Sequence, residues 1–206
     1  MSTSSNVPAP ILRAIALMAG YSHPWVLCGG WAVDLWLGRQ TRDHGDLDIT
    51  IFERDLPAAF RQFTGWTLNA DDATNGANRE QWDGRALVLP AHIHARETDG
   101  LELELIVNPG GPGEWVLTAK PPITLPFEHA VRAYSPGLLV AAPEVLMFYK
   151  SRLCNGCPGC SAPRKLRPHD EADFHALLPG LGPVERAWLR GALAAVEPGH
   201  AWLKLL

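Results

Sequence analysis

Two aspartates separated by one residue close a segment rich in groups suited to phosphate and metal chemistry. Residues 29 to 48 read GGWAVDLWLGRQTRDHGDLD, beginning with Gly29 and Gly30 and ending with Asp46 and Asp48. In the alternating run DLDITIF the two aspartates fall on one face of a predicted strand. A third carboxylate from another strand would complete an oxygen-rich site suited to Mg²⁺, as in phosphoryl or nucleotidyl transfer.

The start of the same segment is suited to holding phosphates. A glycine turn ahead of a helix offers backbone N–H groups and the positive end of the helix dipole to a triphosphate. Arg39, Arg42 and His44 follow and supply cationic side chains. Either motif alone is common on exposed loops and strand edges, but two like charges on a buried-side strand favour a bound cation. The combination therefore predicts a site.

The surrounding pattern predicts a small mixed sheet followed by a helical part. Glu102 and Glu104 share a face of the alternating run LELELIV. Further strands are predicted at WVLC, RALVLPAHIHAR, EWVLT and GLLVA, and polar loops after residue 63. Helices are predicted at PAPILRAIALMAG, WAVDLWLG, LPAAFRQF, APEVLMFYKSR, PHDEADFHALLPGL and PVERAWLRGALAAV. The predicted class is α+β, with a boundary near residue 140 between residues 1–140 and 141–206.

Three cysteines form a separate candidate site within 154–160. Cys154, Cys157 and Cys160 stand in a C-x2-C-x2-C run, a spacing typical of Zn or Fe–S knuckles, with zinc favoured. A fourth ligand would come from His169 or Cys28. The alternative is a Gly/Pro-rich loop with incidental thiols. His92 and His94 share a strand face and suit a metal, an acceptor or a solvated surface, so they remain unassigned.

Bulk composition narrows the class of protein. The 206 residues are 47% hydrophobic and carry a net charge of −4. No apolar run approaches the roughly 20 residues of a membrane span, and the start lacks the basic residues of a signal peptide. The expectation is a cytoplasmic protein without a membrane partner. The negative charge disfavours nonspecific nucleic-acid binding.

The segment from Gly29 to Asp48 resembles the core motif of the nucleotidyltransferase superfamily, which has the DNA-polymerase-beta-like fold. It is most similar to the adenylyltransferases that act on aminoglycosides and lincosamides. APEVLMFYKS resembles the family's helix with a lysine, and RPHDEADF resembles a later Arg-Pro-Lys-Asp segment in which His169 stands in the lysine position. The resemblance implies a nucleotidyltransferase-fold catalytic domain followed by a helical subdomain that contains the cysteine insert.

The resemblance also implies roles for individual residues. Asp46 and Asp48 would bind Mg²⁺ or Mn²⁺, with Glu104 as the third ligand and proton acceptor and Glu102 as its rival. The nucleotide phosphates would lie against five residues: Gly29, Gly30, Arg42, His44 and Lys150. Asp170 and Asp173 either take part in function or cap and stabilise the start of a helix.

The implied reaction moves a nucleoside monophosphate, AMP if the substrate is ATP, to an acceptor hydroxyl. The acceptor is a small molecule of the aminoglycoside type, or alternatively an RNA 3′ end or a protein. The chain's negative charge favours a cationic small molecule. A different class of function is a catalytically silent nucleotide-binding or antitoxin-like module, against which the intact carboxylates argue.

Overall fold

A mixed sheet carries the aspartate segment at its centre. The computed structural model describes residues 7–76, 78–98, 100–111, 113–151 and 166–206. The strands in these ranges are β1 (Val26–Leu27), β2 (Leu47–Phe52), β3 (Thr67–Asp71), β4 (Glu80–Gln81), β5 (His92–Arg96), β6 (Glu102–Asn108), β7 (Glu114–Leu117), β8 (Ile123–Pro126), β9 (Val131–Ser135) and β10 (Leu138–Ala141). Eight of them form the sheet in the order β4-β3-β5-β6-β2-β1-β10-β9, and β7 pairs with β8 separately.

Helices flank the sheet and make up the last part of the chain. They are α1 (Ala9–Met18), α2 (Gly29–Leu37), α3 (Leu56–Gln62), α4 (Phe127–Ala130), α5 (Pro143–Lys150), α6 (Pro168–Leu177) and α7 (Pro183–Val196). Five of them, α1, α3, α5, α6 and α7, bear proline in the first turn, where its missing N–H costs no hydrogen bond. No helix in the described part of the chain is long and apolar enough to cross a membrane.

The pairing of β2 with β6 brings the acidic residues together. The two strands run parallel, and Asp48 lies opposite Glu104. The intervening residues Leu47, Ile49 and Ile51 point to the other face, where they are buried in the core. Because side chains alternate along a strand, one face of this pair is acidic and the other apolar. The alternation of the sequence thus places the carboxylates side by side.

The helical end packs on the same part of the sheet. Helices α5 and α6 both contact α2, and α5 also packs on α7. The rings of Phe174 and Trp202 stack at 3.9 Å between centroids with an interplanar angle of 9°. Strand β10 pairs with β1 in parallel, Leu27 opposite Val140. The predicted domain boundary near residue 140 therefore falls within a strand of the central sheet, and the division into two domains stays a prediction.

The α+β class is confirmed. Strands β8 and β9 and helix α4 were not predicted, and residues 67–91 also differ from the prediction. Strand β5 begins only at His92, because Val88, in the segment before it, makes hydrogen bonds outside the sheet. The Val88 N–H donates to Asp72 Oδ2, and the Val88 carbonyl accepts from the Ala73 N–H. Pro90 then offers no N–H to a neighbouring strand. Residues 67–71, expected as polar loop, form β3 between β4 and β5. Their polar side chains alternate with the buried Leu68 and Ala70.

Candidate metal and nucleotide site

Three carboxylates converge at the start of β2 and on β6. One oxygen each from Asp46, Asp48 and Glu104 lies within 4.8 Å of the other two. Glu102, the rival third ligand, instead pairs with Arg96 at 2.9 Å. Within the described residues this is the one group of three or more His, Cys, Asp or Glu side chains with such spacing. Its oxygen donors suit a hard divalent cation.

The electrostatics of the cluster indicate that a positive charge is needed there. Burial, then the neighbouring Glu104 and Asp46, raise the pKa of Asp48 to about 7, although Lys150 and His92 offset part of the effect. Burial, then the neighbouring Glu104 and Glu102, also raise the pKa of Asp46. Burial alone would raise the pKa of Glu104, but the His92 imidazole outweighs it and holds that pKa below its usual range. A divalent cation would relieve the repulsion among the three.

Gly29 is packed directly against the Asp48 carboxylate. It begins α2 with a φ of 65°, a left-handed conformation that strongly favours glycine. A Cβ at this position would lie 1.6 Å from Asp48 Oδ2. The Cys28 N–H also donates to the Asp48 backbone oxygen at 2.9 Å. The first turn of α2 and the carboxylate cluster are therefore in contact, as the predicted phosphate and metal sites require.

The segment 41–44, called the cationic segment below, packs over Gly30 through Arg42 and His44. A Cβ on Gly30 would lie 2.3 Å from His44 Nδ1 and 2.7 Å from Arg42 Nη2. The His44 ring packs on Trp31 with centroids 4.6 Å apart. Two of the three predicted cationic side chains thus reach the N-terminal turn of α2, whereas Arg39 is exposed. The structure brings Gly29, Gly30, Arg42 and His44 together, and their roles toward nucleotide stay predictions.

Asp34 is a buried acid that the sequence analysis missed. It lies on α2, 2% exposed, and accepts hydrogen bonds from the Thr41 N–H, the Thr41 hydroxyl and His44 Nε2. The signal in the sequence is a single acid within the apolar helix WAVDLWL, because a buried carboxylate requires donors.

Two histidine–carboxylate pairs adjoin the cluster on the same sheet face. His92 Nδ1 lies 2.6 Å from Glu104 Oε1, and His94 Nε2 lies 3.3 Å from Asp71 Oδ1. Burial opposes protonation of His92, but the Glu104 carboxylate outweighs it and raises the His92 pKa. The sequence left both histidines unassigned. Their contacts make them partners of carboxylates and not a solvated face.

Lys150 is held by two acids of α6. Its Nζ lies 2.6 Å from Asp173 Oδ2 and 3.6 Å from Asp170 Oδ1. Arg167 pairs with Asp170 through two bonds of 2.6 and 2.9 Å. Asp170 lies in the first turn of α6, and both acids also form buried ion pairs. Lys150 remains near enough to lower the Asp48 pKa. Its predicted contact with phosphates stays a prediction.

The predicted zinc site at Cys154, Cys157 and Cys160 lies outside the described residues. Of its candidate remote ligands, Cys28 is buried, with its sulfur 3.1 Å from Thr50 Oγ1. Burial, only partly offset by Thr50, raises the Cys28 pKa to about 12. Because zinc binds the thiolate, Cys28 is poorly suited to be the fourth ligand. His169 lies at the start of α6 with its side chain 40% exposed.

The sequence matches a known family of enzymes. A profile of the aminoglycoside-2''-adenylyltransferase family matches residues 10–121, more than half of the chain. The match includes α2, β2 and β6, and therefore all three carboxylates. No sequence among curated proteins matches the chain significantly.

Solved structures of antibiotic adenylyltransferases share the fold. The lincosamide antibiotic adenylyltransferase LnuA, solved with lincomycin bound, superposes with a TM-score of 0.53 at 15% identity, over 84% of this chain and 97% of that chain. ANT(2'')-Ia in complex with adenylyl-2''-tobramycin gives 0.52 at 18% identity, over 90% and 95%. The solution structure of ANT(2'')-Ia gives 0.54 at 20% identity, over 93% and 95%.

Proposed function

The chain belongs to the aminoglycoside-2''-adenylyltransferase family, and from this premise we propose that it transfers AMP from ATP to a hydroxyl group of a small cationic antibiotic. Membership makes it a nucleotidyltransferase of the antibiotic-modifying type. The proposal adds three specific points: the nucleotide is ATP, the reaction requires Mg²⁺ or Mn²⁺, and the acceptor carries amines as well as hydroxyls.

One observation carries the proposal: the cluster of Asp46, Asp48 and Glu104 lies against the first turn of α2. The three ligand oxygens are within 4.8 Å of one another, and Gly29 touches Asp48. At this separation two carboxylates repel by roughly 3 kcal/mol at an effective dielectric constant of about 20. A divalent cation would turn that repulsion into attraction, and its oxygen preference fits the donors.

The residues of the site would have separate roles in the transfer reaction. Asp46, Asp48 and Glu104 would hold the cation, which supplies positive charge for the triphosphate when it is bound. Glu104 would accept the proton of the acceptor hydroxyl. The acceptor oxygen would then bond to the α-phosphorus as the bond from that phosphorus to pyrophosphate breaks. The N–H groups at Gly29 and Gly30 would orient the phosphates, with Arg42 and His44 beside them.

Lys150 would act differently from the other cations. Its side chain is 8% exposed and its ammonium group is paired with Asp173 and Asp170. Any contact that it makes with the phosphates would therefore compete with these two ion pairs. We propose that its main contribution is the positive potential at Asp48, which favours an ionised ligand.

The choice of acceptor follows from charge and from the relatives. The net charge of −4 and the acidic sheet face favour a cation over an anionic RNA. Lincomycin is bound in LnuA and adenylyl-2''-tobramycin in ANT(2'')-Ia. Both are small molecules, which supports the same class of acceptor for this chain.

The experiment is a transfer screen with two matched variants. The protein is incubated with Mg²⁺, each of the four nucleoside triphosphates, and tobramycin, kanamycin, lincomycin or total tRNA. Mass spectrometry detects a gain of one nucleoside monophosphate on the acceptor. Wild type and Glu102→Gln should modify an aminoglycoside with ATP, and Glu104→Gln should not. Modification of tRNA alone, or equal activity of Glu104→Gln, would contradict the proposal.

A further inference from the structure

Asp34 joins the cationic segment to α2 through three hydrogen bonds. Its Oδ1 accepts from the Thr41 N–H at 3.0 Å and the Thr41 hydroxyl at 2.6 Å, and its Oδ2 lies 2.5 Å from His44 Nε2. Both carboxylate oxygens are engaged, and the donors come from one segment of four residues. The bonds therefore fix the position of that segment relative to the helix.

The burial of Asp34 calls for an explanation beyond packing. Its neighbours on α2, Val33 and Leu35, are buried and apolar, and an apolar residue would fill the same space at no desolvation cost. Buried ionic groups are often no more stabilising than apolar ones of similar volume. What the carboxylate adds is direction, because hydrogen bonds orient their partners and apolar contacts do not.

Asp34 fixes which ring nitrogen of His44 faces the start of α2. Asp34 holds Nε2, so the opposite ring nitrogen, Nδ1, faces Gly30, where it lies 2.3 Å from the position of a Cβ. Trp31 packs against the ring and the His44 side chain is only 4% exposed. Arg42 Nη2 approaches the same point at 2.7 Å. The segment thus lies over the first turn of α2 in one orientation, and two residues later the chain reaches Asp46.

We propose that Asp34 is a positioning residue for the nucleotide site: it contacts no substrate, but holds the segment 41–44 so that Arg42 and His44 flank the phosphates at the start of α2. This inference rests on the proposed function, in which that turn binds the triphosphate. Loss of the bonds frees the segment and moves both cationic side chains. Nucleotide affinity should therefore fall more than the affinity for the acceptor.

The test measures nucleotide binding in the full chain. Variants Asp34→Leu, Asp34→Asn and Thr41→Val are compared with wild type and with Asp43→Asn, an exposed acid in the same segment. The dissociation constant of a fluorescent, non-hydrolysable ATP analogue is measured with Mg²⁺, and the urea midpoint of unfolding is measured for each variant. Thr41 is exposed, so Thr41→Val tests one bond even where Asp34→Leu fails to fold.

The expected pattern separates positioning from stability. Asp34→Leu should raise the dissociation constant by about tenfold to a hundredfold, and Thr41→Val by less. Asp34→Asn, which keeps an acceptor for Thr41, should recover part of the loss. In a His44→Ala background, Asp34→Leu should have a smaller effect, because the part of the loss that comes from His44 is already absent and only the part from Arg42 remains. Asp43→Asn should bind like wild type.

Contrary results fall into two kinds. Dissociation constants of Asp34→Leu and Thr41→Val within twofold of Asp43→Asn would overturn the inference, as would a full effect of Asp34→Leu in the His44→Ala background. A wild-type protein that binds no analogue would overturn it too. Wild-type binding without transfer to any acceptor would instead contradict the proposed function and leave the binding test of Asp34 decisive.

Discussion

Replacing Gly29 with alanine tests the contact between the start of α2 and the carboxylate cluster of Asp46, Asp48 and Glu104. The added Cβ would lie 1.6 Å from Asp48 Oδ2 and 2.4 Å from its Cγ. Ordinary contact requires about 3.4 Å, so the carboxylate or the helix would have to move by nearly 2 Å. Gly38, at the other end of α2, has almost the same φ, 67° against 65°, but nothing lies within 4 Å of its Cβ position. Gly38→Ala is therefore a matched control for the backbone conformation.

The two variants should differ in activity far more than in backbone strain. Each alanine in the left-handed region costs about 1–2 kcal/mol, which lowers the melting temperature by about 2–8 °C in a chain of this size. Only Gly29→Ala displaces Asp48, a proposed metal ligand, and a displacement of about 1 Å at a reacting centre already costs about a hundredfold in rate. We expect at least that loss of kcat for Gly29→Ala and a kcat close to wild type for Gly38→Ala.

The assay is pyrophosphate release at saturating Mg²⁺, ATP and the acceptor found in the screen. Melting curves recorded on the same samples give the shared backbone cost. If Gly29→Ala retained a kcat within threefold of Gly38→Ala, the helix start would not be tightly packed against Asp48, and the geometry derived for the site would be wrong.

Three further predictions concern other parts of the site. Lys150→Met should lower the free energy of unfolding in urea by about 3 kcal/mol, because it leaves the buried Asp173 without its cation; a change below about 0.5 kcal/mol would refute this pairing. Cys28, whose pKa burial raises to about 12, should resist iodoacetamide at pH 8 until the protein unfolds. Peptide mass mapping reads that site, and native-state labelling at the rate of free cysteine would contradict it. His92→Leu should lower kcat about tenfold, because Glu104 loses its 2.6 Å partner; an exposed control, His129→Leu, should not, and equal rates would refute the role.

The local pattern of the sequence is enough to predict the acidic site. Alternation in DLDITIF and LELELIV places each set of carboxylates on one strand face. This follows from the strand alone, because successive side chains point to opposite faces in any β-strand. The parallel register that sets Asp48 opposite Glu104 is not encoded in either strand alone. It depends on which strands become neighbours, so the choice of Glu104 over Glu102 required coordinates.

The contacts that the sequence analysis did not predict are those whose partners lie far away in the chain or on another element. Asp34 reads as part of an apolar helix until the segment 41–44 folds back on it. His92 faces Glu104 only because β5 and β6 pair. Lys150 was expected at the phosphates, and its pairing with Asp173 comes from the packing of α5 on α6. Such contacts follow from tertiary structure, which a single sequence specifies only through the whole fold.

The most direct test of the carboxylate cluster is the transfer rate of Asp48→Asn, measured with its stability. Asparagine keeps the shape and removes the charge of a residue whose pKa is raised to about 7. A raised pKa means that the ionised carboxylate destabilises the folded state increasingly as pH rises from about 4 to about 7. At pH 8 and without divalent metal, Asp48→Asn should therefore unfold at or above the wild-type midpoint. Its transfer rate with saturating Mg²⁺, ATP and acceptor should fall at least about a hundredfold. A rate within threefold of wild type would contradict the assignment of this cluster as the catalytic centre.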